Sequence, residues 1–244
     1  MRVETVVHSS GDLLPILLDD DGLPIPSPNE FVMGRRNLST NTLIRHLREL
    51  SVLYRWFNVH RIDMHSRLKN GALFSEAEFR GSLLEFLRKD MEIESKVVAP
   101  HTFNSRLATI RQYFVWEIDV YLSSLPSNDS QYDSIQESRK RIIAWIEKGF
   151  INSPKSAGIS RKALTEDEAR FLVNCLNPES ADSFAFYEPI KYRNFVAVSL
   201  MLNCGLRPGE LLSLRVEDIN IGAISSVTIQ RRPPDPNDER RPRP

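Results

Sequence analysis

Cysteines and long apolar runs are scarce in this sequence. The two cysteines, Cys175 and Cys204, are too few for a disulfide framework or a cysteine zinc site. No apolar run approaches the roughly 18 residues of a membrane helix, and Phe195–Leu202 is the longest candidate. Leu13–Leu18 is too short for a secretory signal and runs into Asp19. We therefore expect a cytoplasmic protein without a membrane partner or a bound metal.

The chain also lacks net charge, because 32 Lys and Arg balance 32 Asp and Glu among its 244 residues. The distribution of the charge is uneven, however. Residues 35–163 contain 21 basic and 14 acidic side chains, whereas residues 1–34 contain 1 and 6, and residues 164–230 contain 5 and 9. A basic block between two acidic ones indicates a segment that faces a polyanion, although a solvated surface of uneven charge gives the same pattern.

Prolines and glycines divide the first part of the chain. Residues 1–34 contain several of both, so we predict an N-terminal extension with short strands and little helix. Residues 35–150 have apolar side chains at helical spacing, which predicts a bundle of four helices over 40–58, 76–90, 103–122 and 131–148. Ser39 or Thr40 is the expected N-cap of the first helix, and a Ser75–Glu78 capping box is expected at the second.

A second domain is predicted after a linker rich in Gly, Ser and Pro over residues 151–163. It covers residues 164–244 and opens with a Thr165–Glu168 capping box. We expect helices to about residue 176, over 192–203 and over 208–214, and then a strand over 226–230. This is less than a finished domain, and we therefore expect it to be truncated.

The most informative stretch surrounds Arg207. Gly205 is a natural helix stop and Pro208 a natural helix start, so Arg207 is expected at a tight corner that opens a short helix. A guanidinium at such a corner supplies donors suited to a phosphate. Glu210, one turn later, is expected to hold the guanidinium.

This stretch resembles the first active-site box of the tyrosine recombinases, the phage-integrase family. The family pattern is a helix that ends in Gly-Leu-Arg, followed by Glu-Leu, Leu and Asp-Ile before a strand. The matching residues here are Gly205, Leu206, Arg207, Glu210, Leu211, Leu214, Asp218 and Ile219. Family members often have Trp where this chain has Val216. The resemblance extends over about residues 35–230, because the helical bundle, the basic linker and the domain entry at residues 162–168 look like those of the family.

The resemblance implies a fold and a function. The fold is mainly α, with a helical core-binding bundle followed by the first part of a mixed α/β integrase-type catalytic domain. The function is the DNA-binding portion of a site-specific recombinase, which breaks and rejoins double-stranded DNA through a phosphotyrosine link. It further implies self-association on DNA, association with the nucleoid, and no metal or nucleotide cofactor. The lack of a Gly-x-x-x-x-Gly-Lys loop agrees with an ATP-independent reaction.

The resemblance also assigns roles to residues. Arg207 would stabilise the scissile phosphate during catalysis, with Glu210 supporting it. The expected contacts with DNA phosphates are Arg45, Arg48, Arg55, Arg106, Arg111, Lys155, Arg161 and Lys162. Asn41 and Asn104 are candidates for base contacts. Arg207 is expected at the mouth of a cleft between the domains, with its charge buried.

The family's nucleophilic Tyr lies beyond the first box, together with its catalytic Lys and its His-x-x-Arg box. All six tyrosines of this chain precede Arg207, so we expect this chain alone to be inactive in strand cleavage. Two alternatives remain open, namely a non-catalytic helical DNA-binding module and a helical protein-interaction module. Salt-dependent DNA binding would distinguish the DNA-binding functions from protein interaction.

Overall fold

A computed structural model describes residues 1–8, 13–91, 96–126, 128–152, 163–180, 183–184 and 187–230. These residues fall into two compact units, the first within residues 1–155 and the second within residues 156–244. Helices dominate both units, which confirms the predicted mainly α class. The division falls in the predicted linker, of which residues 153–162 lie outside the described residues.

The first unit opens with a β-hairpin and a helix. Strands β1 (Arg2–Val7) and β2 (Leu13–Leu18) pair antiparallel, with Arg2 opposite Leu18. Helix α1 (Pro26–Met33) follows, so the prediction of little helix is wrong here. Pro26 and Pro28 lie in the first turn of α1, where a backbone N–H is not needed for helical hydrogen bonds. Proline at these positions is compatible with a helix start.

This N-terminal segment belongs to the same core as the bundle. Leu17, Phe31 and Val32 are buried together with the apolar side chains of the later helices. The Ser27 hydroxyl is 2.6 Å from the Tyr113 hydroxyl, which is itself 2.7 Å from that of Tyr54. Burial raises the pKa of Tyr54 to about 12. The segment predicted as an extension is therefore packed against the helices that follow it.

The main helices of the first unit begin and end close to their predicted limits. They are α2 (Thr40–His60), α5 (Pro100–Ser124) and α6 (Tyr132–Gly149). The Ser39 hydroxyl accepts a hydrogen bond from the Thr42 N–H, which settles the choice of N-cap. A short helix α3 (Met64–Lys69) was not predicted; Asp63 caps it by accepting from two backbone N–H groups.

The predicted helix over residues 76–90 differs in its geometry. It consists of a π-helix (Ala77–Leu83) continued by α4 (Leu84–Arg88). The capping box before it is confirmed, with Ser75 N–H donating to Glu78 and Glu78 N–H donating to the Ser75 hydroxyl. The core of the unit lies between the π-helix and α2, α5 and α6. Its fully buried aromatic side chains are Phe31, Trp56, Phe79, Phe103, Tyr113 and Phe114.

The second unit contains α7 (Glu166–Leu176), α8 (Glu188–Cys204), α9 (Pro208–Ser213) and a 3-10 turn (Val216–Asp218). The predicted capping box at α7 is confirmed. Two short strands follow, β3 (Ile219–Asn220) and β4 (Ser226–Val227), and β4 is shorter than the predicted strand. Among its described residues only Cys175, Leu206 and Asp218 are buried.

Candidate nucleic-acid interface

Three arginines expected to contact DNA, Arg45, Arg48 and Arg55, form a stripe along α2 that the N-terminal hairpin divides. Arg45 and Arg48 are exposed near the start of the helix, and the Arg45 side chain is 57% exposed. Further along, β1 and β2 pack against α2. Arg55 is half-buried there and donates to the carbonyl oxygen of Met1 at 3.3 Å. The open part of the stripe is therefore its first half.

A buried carboxylate lies beneath this open part. Glu49 accepts hydrogen bonds from the hydroxyl of Ser105, at 2.7 Å, and from the hydroxyl of Thr109. Both hydroxyls belong to α5, so Glu49 joins α2 to α5. The Arg45 Nε lies 4.0 Å from a Glu49 oxygen, which leaves the rest of its guanidinium available to solvent.

Two arginines of α5 already have hydrogen-bond or ion-pair partners within the first unit. Arg106 donates to the carbonyl oxygens of Leu87 and Lys89, at 2.7 and 2.8 Å. Burial lowers the pKa of the Arg106 guanidinium. Arg111 pairs with Glu147 of α6 at 3.0 Å. The carbonyl contacts give Arg106 a structural role inside the first unit. The Arg111 side chain is 44% exposed beside Glu147, so its contact with DNA stays a prediction.

Asn104 is likewise occupied inside the protein. Its amide nitrogen donates to the Ile151 carbonyl oxygen at 2.9 Å, and its amide oxygen accepts from the Ile151 N–H at 3.0 Å. Both ends of the side chain are used, so we do not retain Asn104 as a base-reading residue. It instead fixes the chain where it leaves α6. Asn41 is exposed at the start of α2.

The corner around Arg207 has the predicted backbone. Gly205 ends α8 in the left-handed conformation, with φ of 67°, and Arg207 is extended immediately before Pro208 opens α9. A left-handed residue favours glycine because a Cβ is strained there. Glu210 accepts a hydrogen bond from the Arg207 N–H at 2.8 Å. The helix punctuation therefore places Arg207 where the sequence predicts it.

The Arg207 side chain differs from the prediction in two respects. It is 85% exposed, so its charge is not buried. Its Nη1 lies 3.8 Å from a Glu210 oxygen, which is too long for a hydrogen bond. Glu210 thus secures the backbone of the corner and leaves the guanidinium free to reach a ligand. The cleft expected between the domains stays a prediction. Lys155, Arg161 and Lys162 lie outside the described residues.

Arg35 is a further cation near the start of α2 that was not predicted. Arg35 lies over the ring of Phe31, 3.9 Å from its centroid, and donates to the Gln112 side chain at 2.6 Å. Burial lowers the pKa of His46, and the positive charges of Arg45 and Arg35 lower it further. The Arg35–Arg36 pair directly before the predicted first helix was the available signal.

Searches of protein-family models, curated proteins and solved structures find no match to this chain. No helix among the described residues is both long and apolar enough to cross a membrane. Within the same residues, no group of three His, Cys, Asp or Glu side chains is arranged to hold a metal ion.

Proposed function

We propose that this chain is the DNA-binding portion of a site-specific tyrosine recombinase. The observation that carries the proposal is the corner from Gly205 to Glu210. Its backbone is fixed by a left-handed glycine, a helix-starting proline and the Glu210 hydrogen bond, while the Arg207 guanidinium remains 85% exposed. An exposed guanidinium on a fixed backbone corner is suited to bind a phosphate and to stabilise charge that develops on it.

The bundle supplies a second contact in this proposal. Arg45 and Arg48 are exposed on the first half of α2, and the Glu49 hydrogen bonds fix that half against α5. A rigid helix holds these arginines in a constant register, and contacts of this kind with phosphates position a protein on DNA without sequence preference. No tyrosine follows Arg207 within these 244 residues. The function proposed for this chain alone is therefore binding of duplex DNA. Strand cleavage is proposed only for recombinases that contain the nucleophilic tyrosine.

The salt dependence of DNA binding tests this proposal. We expect the chain to bind duplex DNA, with affinity falling steeply as salt rises because bound phosphates release counterions. Arg45→Ala with Arg48→Ala should lower the slope of log affinity against log salt by about two units, on random and specific duplexes alike. Arg207→Ala should lower the slope by about one unit and leave most of the affinity.

A matched control removes the same charge elsewhere in the first unit. Arg80→Ala with Lys140→Ala changes exposed cations of the π-helix and α6, and should leave the slope unchanged. Equal effects of the two double variants would mean that only net charge matters, and would remove α2 from the interface. A chain that does not bind DNA at low salt would contradict the proposal and favour the protein-interaction alternative.

A further inference from the structure

A groove with an apolar floor runs along the outward side of α5. Its volume is about 580 Å³, and its floor is formed by Val115, Trp116 and Val120. Val120, near the C-terminal end of α5, is 52% exposed. The groove is lined entirely by residues of the first unit.

Two cations lie at one end of this groove, and both are held in place. Arg35 is fixed by the Phe31 ring and by its hydrogen bond to Gln112. Arg111 is fixed by Glu147. Farther along α5, the carboxylate of Asp119 is already paired with Arg139 at 2.8 Å. The groove therefore offers preorganised positive charge beside an apolar surface, a combination that fits an acidic and apolar helix.

Helix α7 has the complementary chemistry. Its first turn contains three exposed acidic residues. Glu166 pairs with Arg170, and Glu168 forms the capping box with Thr165. Asp167 is the third carboxylate of this turn and takes part in neither of these two contacts. Phe171 follows Asp167 by one helical turn and is 70% exposed. An exposed phenylalanine beside an exposed carboxylate matches an apolar floor beside a fixed arginine.

We propose that the groove on α5 binds α7 of a second copy of this chain. Phe171 would lie against Trp116 and Val120, with Asp167 facing Arg35. The lengths agree, since the eleven residues of α7 extend about 16 Å and the groove residues Gln112 to Ser123 span about the same distance along α5. This inference is independent of the proposed function, because it involves neither Arg207 nor the exposed arginines of α2.

The contact joins two different surfaces, so each chain has one groove and one α7 to offer. Such head-to-tail contacts build rings or open chains. An interface formed by one short helix is at the small end of specific interfaces, so we expect association in the micromolar range. Salt should weaken it because its charged pair lies at the rim.

Sedimentation of the full chain at rising concentration tests the proposal. The average mass should rise above that of the monomer between about 1 and about 200 µM. Phe171→Ala should weaken association at least about tenfold, as expected for an aromatic anchor at the centre of a small contact. Leu212→Ala, which removes an exposed side chain from α9, should have no effect. A chain that stays monomeric throughout, or equal effects of these two variants, would overturn the proposal.

A charge exchange distinguishes contact between copies from contact within one chain. Arg35→Glu and Asp167→Lys should each weaken association, because each places like charges against one another. An equimolar mixture should regain association through alternating copies, since each variant then offers what the other requires. Glu188→Lys, at an exposed position in the first turn of α8, serves as the control for Asp167→Lys. A mixture that associates no better than either variant alone would exclude this interface.

Discussion

Glu49 is the residue on which the proposed DNA surface of the bundle depends. Glu49 is buried, with 8% of its surface exposed, and each of its carboxylate oxygens accepts a hydrogen bond from a hydroxyl of α5. Helical spacing places residue 49 next to Arg45, but it gives no indication that Ser105 and Thr109 would lie opposite. Pairings between distant residues depend on tertiary packing, which a local pattern does not contain.

Replacing Glu49 tests this role. Glu49→Ala leaves the Ser105 and Thr109 hydroxyls without their acceptor in a buried position, so we expect a loss of about 1–3 kcal/mol in the free energy of unfolding. Glu76→Ala is the matched control, because Glu76 pairs with Arg80 in an exposed helical contact and its loss should cost less than about 0.5 kcal/mol. Urea denaturation of both variants measures the difference, and equal losses would contradict the role assigned to Glu49.

Because local sequence patterns do not contain tertiary packing, only some of the site residues could be predicted correctly. The corner at Arg207 was predictable because Gly205 and Pro208 act locally, through backbone conformation. Arg55 and Arg106 were expected on a DNA-facing surface from helical spacing, the basic block and the family resemblance. Periodicity identifies a face of a helix but not which other parts of the chain cover that face. Here the N-terminal segment covers Arg55, and backbone carbonyl groups bind Arg106.

At the scale of elements, prediction succeeded where the apolar stripe was long. Helix α2 was predicted to within two residues at each end, since its stripe continues over several turns and Ser39 caps it. Helix α1 was missed because prolines were taken as breakers, although proline is favourable in a first turn. The π-helix at Ala77–Leu83 has the same apolar residues as an α-helix, so spacing did not distinguish the two.

The contact between α3 and the π-helix gives the first unit a pH dependence. Arg67 donates two hydrogen bonds to Glu78 and, with the Ser75 groups, lowers the pKa of Glu78 to about 2 from a usual value of 4.5. The folded state thus binds this proton more weakly than the unfolded state. The resulting stability is present above about pH 4.5 and is lost as the pH falls towards 2.

Glu78→Gln should remove this dependence. The Glu78 side chain is 38% exposed, so solvent screening reduces the effect. We expect the free energy of unfolding of the unmodified chain to exceed that of the variant by about 1 kcal/mol at pH 6. The difference should shrink towards zero near pH 2. Thermal unfolding over this pH range measures it, with Glu76→Gln as an exposed control. A difference that is constant with pH would show that Glu78 acts through packing alone.

At the scale of the whole molecule, the two units differ in how many apolar side chains they bury. The first unit contains a continuous apolar core, whereas the described part of the second buries Cys175, Leu206 and Asp218. Several large apolar side chains of the second unit are almost fully exposed, among them Val216, Ile221 and Ile224. Since buried apolar area supplies most of the stabilisation of a fold, the second unit should be much the less stable.

Spectroscopy can observe the two units separately, because Trp56, Trp116 and Trp145 all lie in the first. We expect urea to reduce helical circular dichroism at a lower concentration than it changes tryptophan fluorescence, as the second unit unfolds first. Leu206→Ala should shift only the early loss of helix. Leu47→Ala, which opens a cavity in the core of the first unit, should lower the fluorescence midpoint by an amount corresponding to about 2–5 kcal/mol. Coincident transitions, displaced together by either substitution, would mean that the two units unfold as one.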